Sequence, residues 1–163
     1  MAILVLVARG VVDFDLFSLD ITDTAGQERW RTLLLQYFRN QQIFIIMFDI
    51  TDRQSFEEVD KFYEKIAYLH PPESVRILLF GNKFDLEANR RIEYNTALEK
   101  ANSLNAEYIE ISCEDGYNFN LALSLIQNAY NSIPEEERIP YSNSNIVDIN
   151  QKSSQNNSKK CGC

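Results

Sequence analysis

The chain has no lysine before Lys61, no threonine before Thr22, and a single glycine, Gly10, before Gly26. A phosphate-cradling G-x-x-x-x-G-K-S/T loop needs glycines, a lysine and a hydroxyl together, so none is present in this sequence. Positive charge is scarce as well. Sixteen Lys and Arg against 24 Asp and Glu leave a formal charge of −8, which argues against a general nucleic-acid binder with its basic patch. Three cysteines, Cys113, Cys161 and Cys163, are too few for a disulfide framework, and a reducing cytosolic setting is the default. No apolar run approaches the roughly 18 residues of a membrane-spanning helix. The start is apolar from Ala2 to Ala8, with no basic region before it. It therefore reads as a buried strand rather than a signal peptide.

What is present fits one domain: 163 residues, 45% hydrophobic and 25% charged. Phe17, Leu19 and Ile21 alternate with Ser18, Asp20 and Thr22, predicting a half-buried strand over 16–22. "IFIIMFDI" (43–50) is continuously apolar, as in a parallel strand buried on both faces. "RILLFGN" (76–82) and "YIEIS" (108–112) are two further strands. Phe56, Val59, Tyr63 and Ile66 repeat at helical spacing after a capping Asp52. Tyr94, Ala97, Leu98, Ala101 and Leu104 form a second stripe. Ala122, Leu125, Ile126, Ala129, Tyr130 and Ile133 form a third, with Asn118 as a possible cap. "RTLLLQYF" (31–38) is read as a short, partly exposed helix, His70 as a solvated loop residue beside two prolines, and Trp30 as a packing or contact residue. Strands alternating with helices predict an α/β fold, a mostly parallel sheet with helices on both faces. Ligands in such sheets bind beyond the carboxyl ends of the strands.

Three motifs fall at those ends. In "DTAGQE" (23–28), Asp23 can orient water in a Mg²⁺ shell, since Mg²⁺ keeps several waters and few protein ligands. Gly26 lets backbone approach a terminal phosphate, and Gln27 can position an attacking water. Taken alone, the same stretch reads as a polar turn after a strand. In "NKFD" (82–85), Asp85 can accept two parallel N–H bonds from guanine, a pair that adenine lacks. The Lys83 stem can cover a base face, and Asn82 can tie the loop to its neighbours. In "EISCEDG" (110–116), the Cys113 N–H could donate to guanine O6 while Ser112 shapes the turn; Cys113 as a small buried hydrophobe is the plain alternative.

In order and position these motifs resemble those of the small GTPases of the Ras superfamily. "DTAGQERWRTLLLQYFRN", "DITDRQSFEEV" and "FGNKFDLE" are similar to Rab sequences in particular. The resemblance covers residues 11–133 and the end of the tail. It implies a Ras-like P-loop GTPase fold that binds GTP/GDP and Mg²⁺, a guanine-nucleotide switch in vesicle-mediated transport. It implies Rab effectors, an exchange factor and a GTPase-activating protein as partners, with Gln27 catalytic, Asp23 on the metal through water, and Gly26, Asn82, Lys83, Asp85, Ser112 and Cys113 on the nucleotide.

From Ser142 to Lys160, 12 of 19 residues are Ser, Asn or Gln, which predicts a disordered tail. Its end, "KKCGC", is similar to the doubly prenylated Rab terminus, making Cys161 and Cys163 lipidation sites and the prenylation machinery a partner. Two lipids are needed because one chain holds a membrane only marginally. The domains expected are therefore an incomplete GTPase domain over 1–133 and a flexible tail over 134–163, at the cytoplasmic face of intracellular membranes.

Departures from the family pattern set further expectations. The cradle and the Thr that should stand upstream of "VDF" (12–14) are absent, Thr22 stands where Rabs have Trp, and Glu114 where they have the Lys of S-A-K. Only 22 residues precede Asp23, and a βαβ unit takes roughly 30 or more. Residues 2–8 are then expected to pair with 16–22 as an antiparallel hairpin, leaving a sheet that is incomplete at its N-terminus, without a central strand and with apolar edges. GTP hydrolysis is expected to be impaired. The alternatives are a non-switching Rab-like interaction protein on membranes and the product of a truncated gene model or pseudogene.

Overall fold

A computed structural model describes the backbone of residues 4–13 and 16–23, and Phe38 and residues 41–138 in full. Five strands form one sheet in the order β2-β1-β3-β4-β5. They are β1 (Leu4–Asp13), β2 (Leu16–Asp23), β3 (Ile43–Asp49), β4 (Arg76–Asn82) and β5 (Glu107–Glu110). The β3, β4 and β5 pairings are parallel, while β1 is antiparallel to both β2 and β3. Four strands thus point one way, and β1 alone is reversed.

The hairpin expected at the start forms, with Leu6 opposite Asp23 and Asp13 opposite Leu16. The expected bare edge does not. β1 runs to Asp13 rather than ending near residue 8, and its other edge pairs with β3 from Leu4↔Met47 to Ala8↔Ile43. Backbone N–H and C=O groups beside a continuously apolar strand need partners, and β1 supplies them from Ile43 to Met47.

The helices are α1 (Arg53–Glu57), α2 (Val59–Leu69), α3 (Tyr94–Ser103) and α4 (Phe119–Asn131). The first helical stripe is divided at Glu58, although its backbone stays right-handed at φ −77° and ψ −13°. Asp52 caps as expected, its carboxylate accepting the Gln54 N–H at 3.0 Å. Asn118 does not cap α4 with its side chain. It adopts φ 56°, and its amide donates instead to the Glu110 carbonyl at 2.9 Å. Asn tolerates the left-handed region better than most residues, so it suits this turn. Of the predicted helix over 31–38, only Phe38 lies within the described residues, and Trp30 does not.

The period-2 pleat of β3 divides the core between the two faces. Phe44, Ile46 and Phe48 pack with Phe56, Val59, Phe62, Ile66, Ala97 and Ala101 from α1, α2 and α3, and with Leu104 just past α3. Ile43, Ile45 and Met47 pack with Leu78, Phe80, Ile109, Ile111, the Ala122–Ile126–Ala129 stripe of α4 and Ile133 beyond it. His70 is half-buried rather than solvated. Its ring lies 5.4 Å from Phe44, and its Nε2–H donates to the Phe38 carbonyl at 2.7 Å. A carbonyl can only accept, which assigns the proton to Nε2.

Candidate functional site

Parallel register aligns Asp49 with Asn82 and Gly81 with Glu110, bringing the ends of β3, β4 and β5 to one edge of the sheet. After Asn82 the chain turns through Lys83, at φ 69°, into a 3₁₀ segment over Phe84–Asn89. The next strand ends in a turn from Ser112 to Tyr117, helped by Gly116 at φ 80°.

Five of the sequence-predicted nucleotide residues meet there. Buried Ser112 donates its hydroxyl to Asp85 Oδ1 at 2.8 Å and accepts the Glu114 and Asp115 N–H groups at 3.2 and 3.3 Å. Asn82 ties the loops as expected, its Oδ1 accepting the Cys113 N–H at 3.2 Å. That N–H is thereby engaged within the protein, and the Cys113 side chain is exposed rather than a small buried hydrophobe. Asp85 is exposed, and its carboxylate makes no other hydrogen bond among the described residues. Asp23 is the last residue of β2, described by its backbone alone. Gly26, Gln27, Cys161 and Cys163 lie outside the described residues.

Lys83 makes a contact that the sequence did not announce. Its Nζ lies 2.6 Å from Asp49 Oδ2, while Asp49 Oδ1 accepts the Thr51 N–H and hydroxyl at 2.8 and 2.6 Å. Burial pushes the Asp49 carboxyl up, but the hydrogen bonds from Lys83 and Thr51 outweigh it and hold it below its usual range. The same bond to Asp49 pushes the Lys83 ammonium up. The carboxylate's share of stability is then present above its ordinary pKa and lost as pH falls through the lowered one. The ammonium's share is present below its ordinary pKa and lost as pH rises through the raised one. The Lys83 side chain is 50% exposed, so water and salt limit the pair to about 0–1 kcal/mol. Asp49→Asn is expected to lower the urea midpoint slightly at about pH 7, by an amount that shrinks as the pH falls below the ordinary carboxylate pKa of about 3.9. A deficit that persists in acid would show that something other than the ion pair is lost.

A second unannounced group lies behind the 3₁₀ segment Phe84–Asn89. Arg90 donates to both Glu110 oxygens at 2.7 Å, to the Ile92 carbonyl at 2.7 Å and to Glu87. Tyr108 donates its hydroxyl to Glu110 Oε1 at 2.7 Å. Hydrogen bonds to Glu110 and then Glu87 push the Arg90 guanidinium up; burial, and then its bond to Glu110, push the Tyr108 phenol up. A carboxylate inside the apolar strand "YIEIS" was the signal available in the sequence, because buried charges need partners.

Gly81 is pinned by this group. A Cβ there would stand 2.7 Å from Tyr108 Oη, 3.1 Å from Ile50 Cγ2 and 3.3 Å from Glu110 Cγ. Relief would require Tyr108 to leave Glu110. Gly81→Ala is expected to cost about 1–3 kcal/mol by overpacking, read as a fall in urea midpoint. Adding Tyr108→Phe should recover part of it, and no recovery would place the clash elsewhere.

The Ras family profile matches residues 5–132. The chain belongs to the Ras family. Among its relatives, Ras-like protein 1 of Saccharomyces cerevisiae is 36% identical over 118 residues, which are 72% of this chain and 38% of that protein. GTP-binding protein ypt1 of Schizosaccharomyces pombe is 35% identical over 137 residues, 84% of this chain and 64% of that protein. The chain therefore spans less than two thirds of the length of these curated relatives. As a member of the Ras family, it has an α/β fold with loops at the carboxyl ends of β4 and β5, where an open sheet places a ligand. Among the described residues of this Ras-family chain, no helix is long and apolar enough to cross a membrane.

Proposed function

We propose that this chain is a Rab-like guanine-nucleotide switch in vesicle-mediated transport, held to the cytoplasmic face of membranes by prenylation of Cys161 and Cys163. The arrangement of Asp85, Ser112, Asn82 and Cys113 supports it most directly. Ser112 orients one oxygen of Asp85, and a carboxylate held in place can accept the N1–H and N2–H of guanine. Adenine would leave that carboxylate unpaired. Asn82 and Cys113 keep the two loops in register while this happens.

The remaining roles follow from the resemblance. Asp23 would hold Mg²⁺ through water, Gly26 would approach the terminal phosphate, and Gln27 would position the attacking water. Mg²⁺ supplies charge stabilisation when bound and asks for only one or two carboxylates. Effectors, an exchange factor, a GTPase-activating protein and the prenylation machinery are the partners of this reading. The 163-residue polypeptide carries no G-x-x-x-x-G-K-S/T loop, and positioning plus electrostatics supply nearly all catalysis of phosphoryl transfer. Hydrolysis by this polypeptide is therefore impaired.

The test is titration of the purified chain with fluorescent GDP and ADP, with Asp85→Asn alongside. Guanine-selective binding weakened about 10- to 100-fold by Asp85→Asn is expected, the worth of hydrogen bonds to a charged group. Equal affinity for both bases would reject the reading. The second reading is a membrane-associated Rab-like interaction protein that does not switch. The pairing of Lys83 with Asp49 and of the Cys113 N–H with Asn82 favours it, since both groups are already satisfied within the protein. A folded chain that binds neither nucleotide would select it.

A further inference from the structure

The two base-reading turns come from different strands, and three hydrogen bonds cross between them. Phe84 N–H donates to the Ile111 carbonyl at 3.1 Å, Ser112 Oγ to Asp85 at 2.8 Å, and Cys113 N–H to Asn82 at 3.2 Å. One further contact spans the gap. The Phe84 and Tyr117 rings lie face to face, with centroids 4.2 Å apart and planes 8° from parallel. Neither ring belongs to the two core clusters, and Tyr117 is 42% exposed. Burial in the core therefore does not account for the pairing.

The backbone of Tyr117 is tied into the same turn. Its carbonyl accepts the Ser112 N–H at 3.2 Å, and its N–H donates to Asp115 Oδ1 at 3.0 Å. One residue thus grips Phe84, next in sequence to Asp85, with its ring, and Ser112, which holds Asp85, with its backbone. The hydrogen bond to Asp85 is open to competition from water because Asp85 is exposed. A stacked aromatic pair does not compete with water in that way, and shifts an opening equilibrium by about two- to tenfold.

We propose that Tyr117 is a positioning residue for guanine recognition: stacked on Phe84, it couples the turn bearing Asp85 to the turn bearing Ser112, so that the two open together and nucleotide release is slowed. This rests on the guanine reading above. The ring does the work and the hydroxyl does not, which separates Tyr117→Phe from Tyr117→Ala.

The experiment uses the 163-residue chain with Tyr117→Ala, Phe84→Ala, both together, and Tyr117→Phe. Amide hydrogen exchange at Ser112 and Cys113 is measured without nucleotide, and release of fluorescent GDP is measured separately. Each alanine variant should speed exchange at these two amides by about two- to tenfold. The double variant should do no more than the larger single one, Tyr117→Phe should match the parent, and amides of β3 and β4 should be unchanged. Additive effects in the double variant, or no effect in either single one, overturn the coupling. GDP release should accelerate by the same factor in Tyr117→Ala and not in Tyr117→Phe. Release unchanged from a chain that binds GDP overturns the positioning role. A chain that shows the coupling in exchange but binds no GDP overturns the guanine reading and the recognition role with it, and leaves the coupling of the turns standing.

Discussion

Replacing Arg90 by alanine is expected to remove about 3–5 kcal/mol of folding stability, the usual consequence of breaking a buried ion pair from one side. The Arg90 and Glu110 side chains are 11% and 7% exposed, so neither can turn to water without disturbing the loop. Arg90 supplies both oxygens of Glu110 with donors, and only the Tyr108 hydroxyl would remain. Arg90 also holds the Ile92 carbonyl and Glu87, so the 3₁₀ segment behind Asp85 would lose its anchor. Urea unfolding of Arg90→Ala measures the loss. The double variant Arg90→Met, Glu110→Met should recover most of it, because apolar groups of similar volume often replace a buried pair without penalty. A single variant that loses less than about 1 kcal/mol would mean that water already reaches Glu110.

Phe48→Ala should cost about 3–5 kcal/mol, by lost burial and by the cavity left behind. Phe48 is 1% exposed and lies at the last apolar position of β3, one residue before Asp49. Its ring meets Phe56 of α1 edge-on at 4.9 Å and stacks with Tyr108 of β5 at 6.3 Å. The cavity would therefore open beneath both the Asp49–Lys83 pair and the Tyr108–Glu110 bond. Phe48→Leu should retain most of the stability, since it keeps the larger part of the volume. Calorimetric unfolding of the two variants checks the order, and equal losses would point to a specific need for the ring rather than for filled space.

Much of the fold is legible because its signals are local. Continuous apolar runs mark β3 and β4 to within a residue of their ends. The Ala97–Ala101 and Ala122–Ile126–Ala129 spacings mark the buried faces of α3 and α4. Asp52 is legible as a cap because capping needs one side chain and a backbone N–H two residues away. In the candidate site, the meeting of Asn82, Asp85 and Ser112 was legible as short motifs at strand ends. The role of Asn118 was not, because capping and left-handed turns favour the same residue type, and only the position of the Glu110 carbonyl decides between them.

The amino-acid sequence by itself determined the alternation of strands and helices, the two-sided burial of β3, the candidate guanine loop, and the absence of a phosphate-cradling motif from these 163 residues. These follow from spacing and residue type, which need no knowledge of distant neighbours. The tertiary structure alone decided that β1 inserts between β2 and β3, that Lys83 closes on Asp49, that Arg90 and Tyr108 both serve Glu110, and that Phe84 stacks on Tyr117. Each of these joins residues brought together by strand register or by turns on different strands. Such pairings depend on where the whole sheet places them.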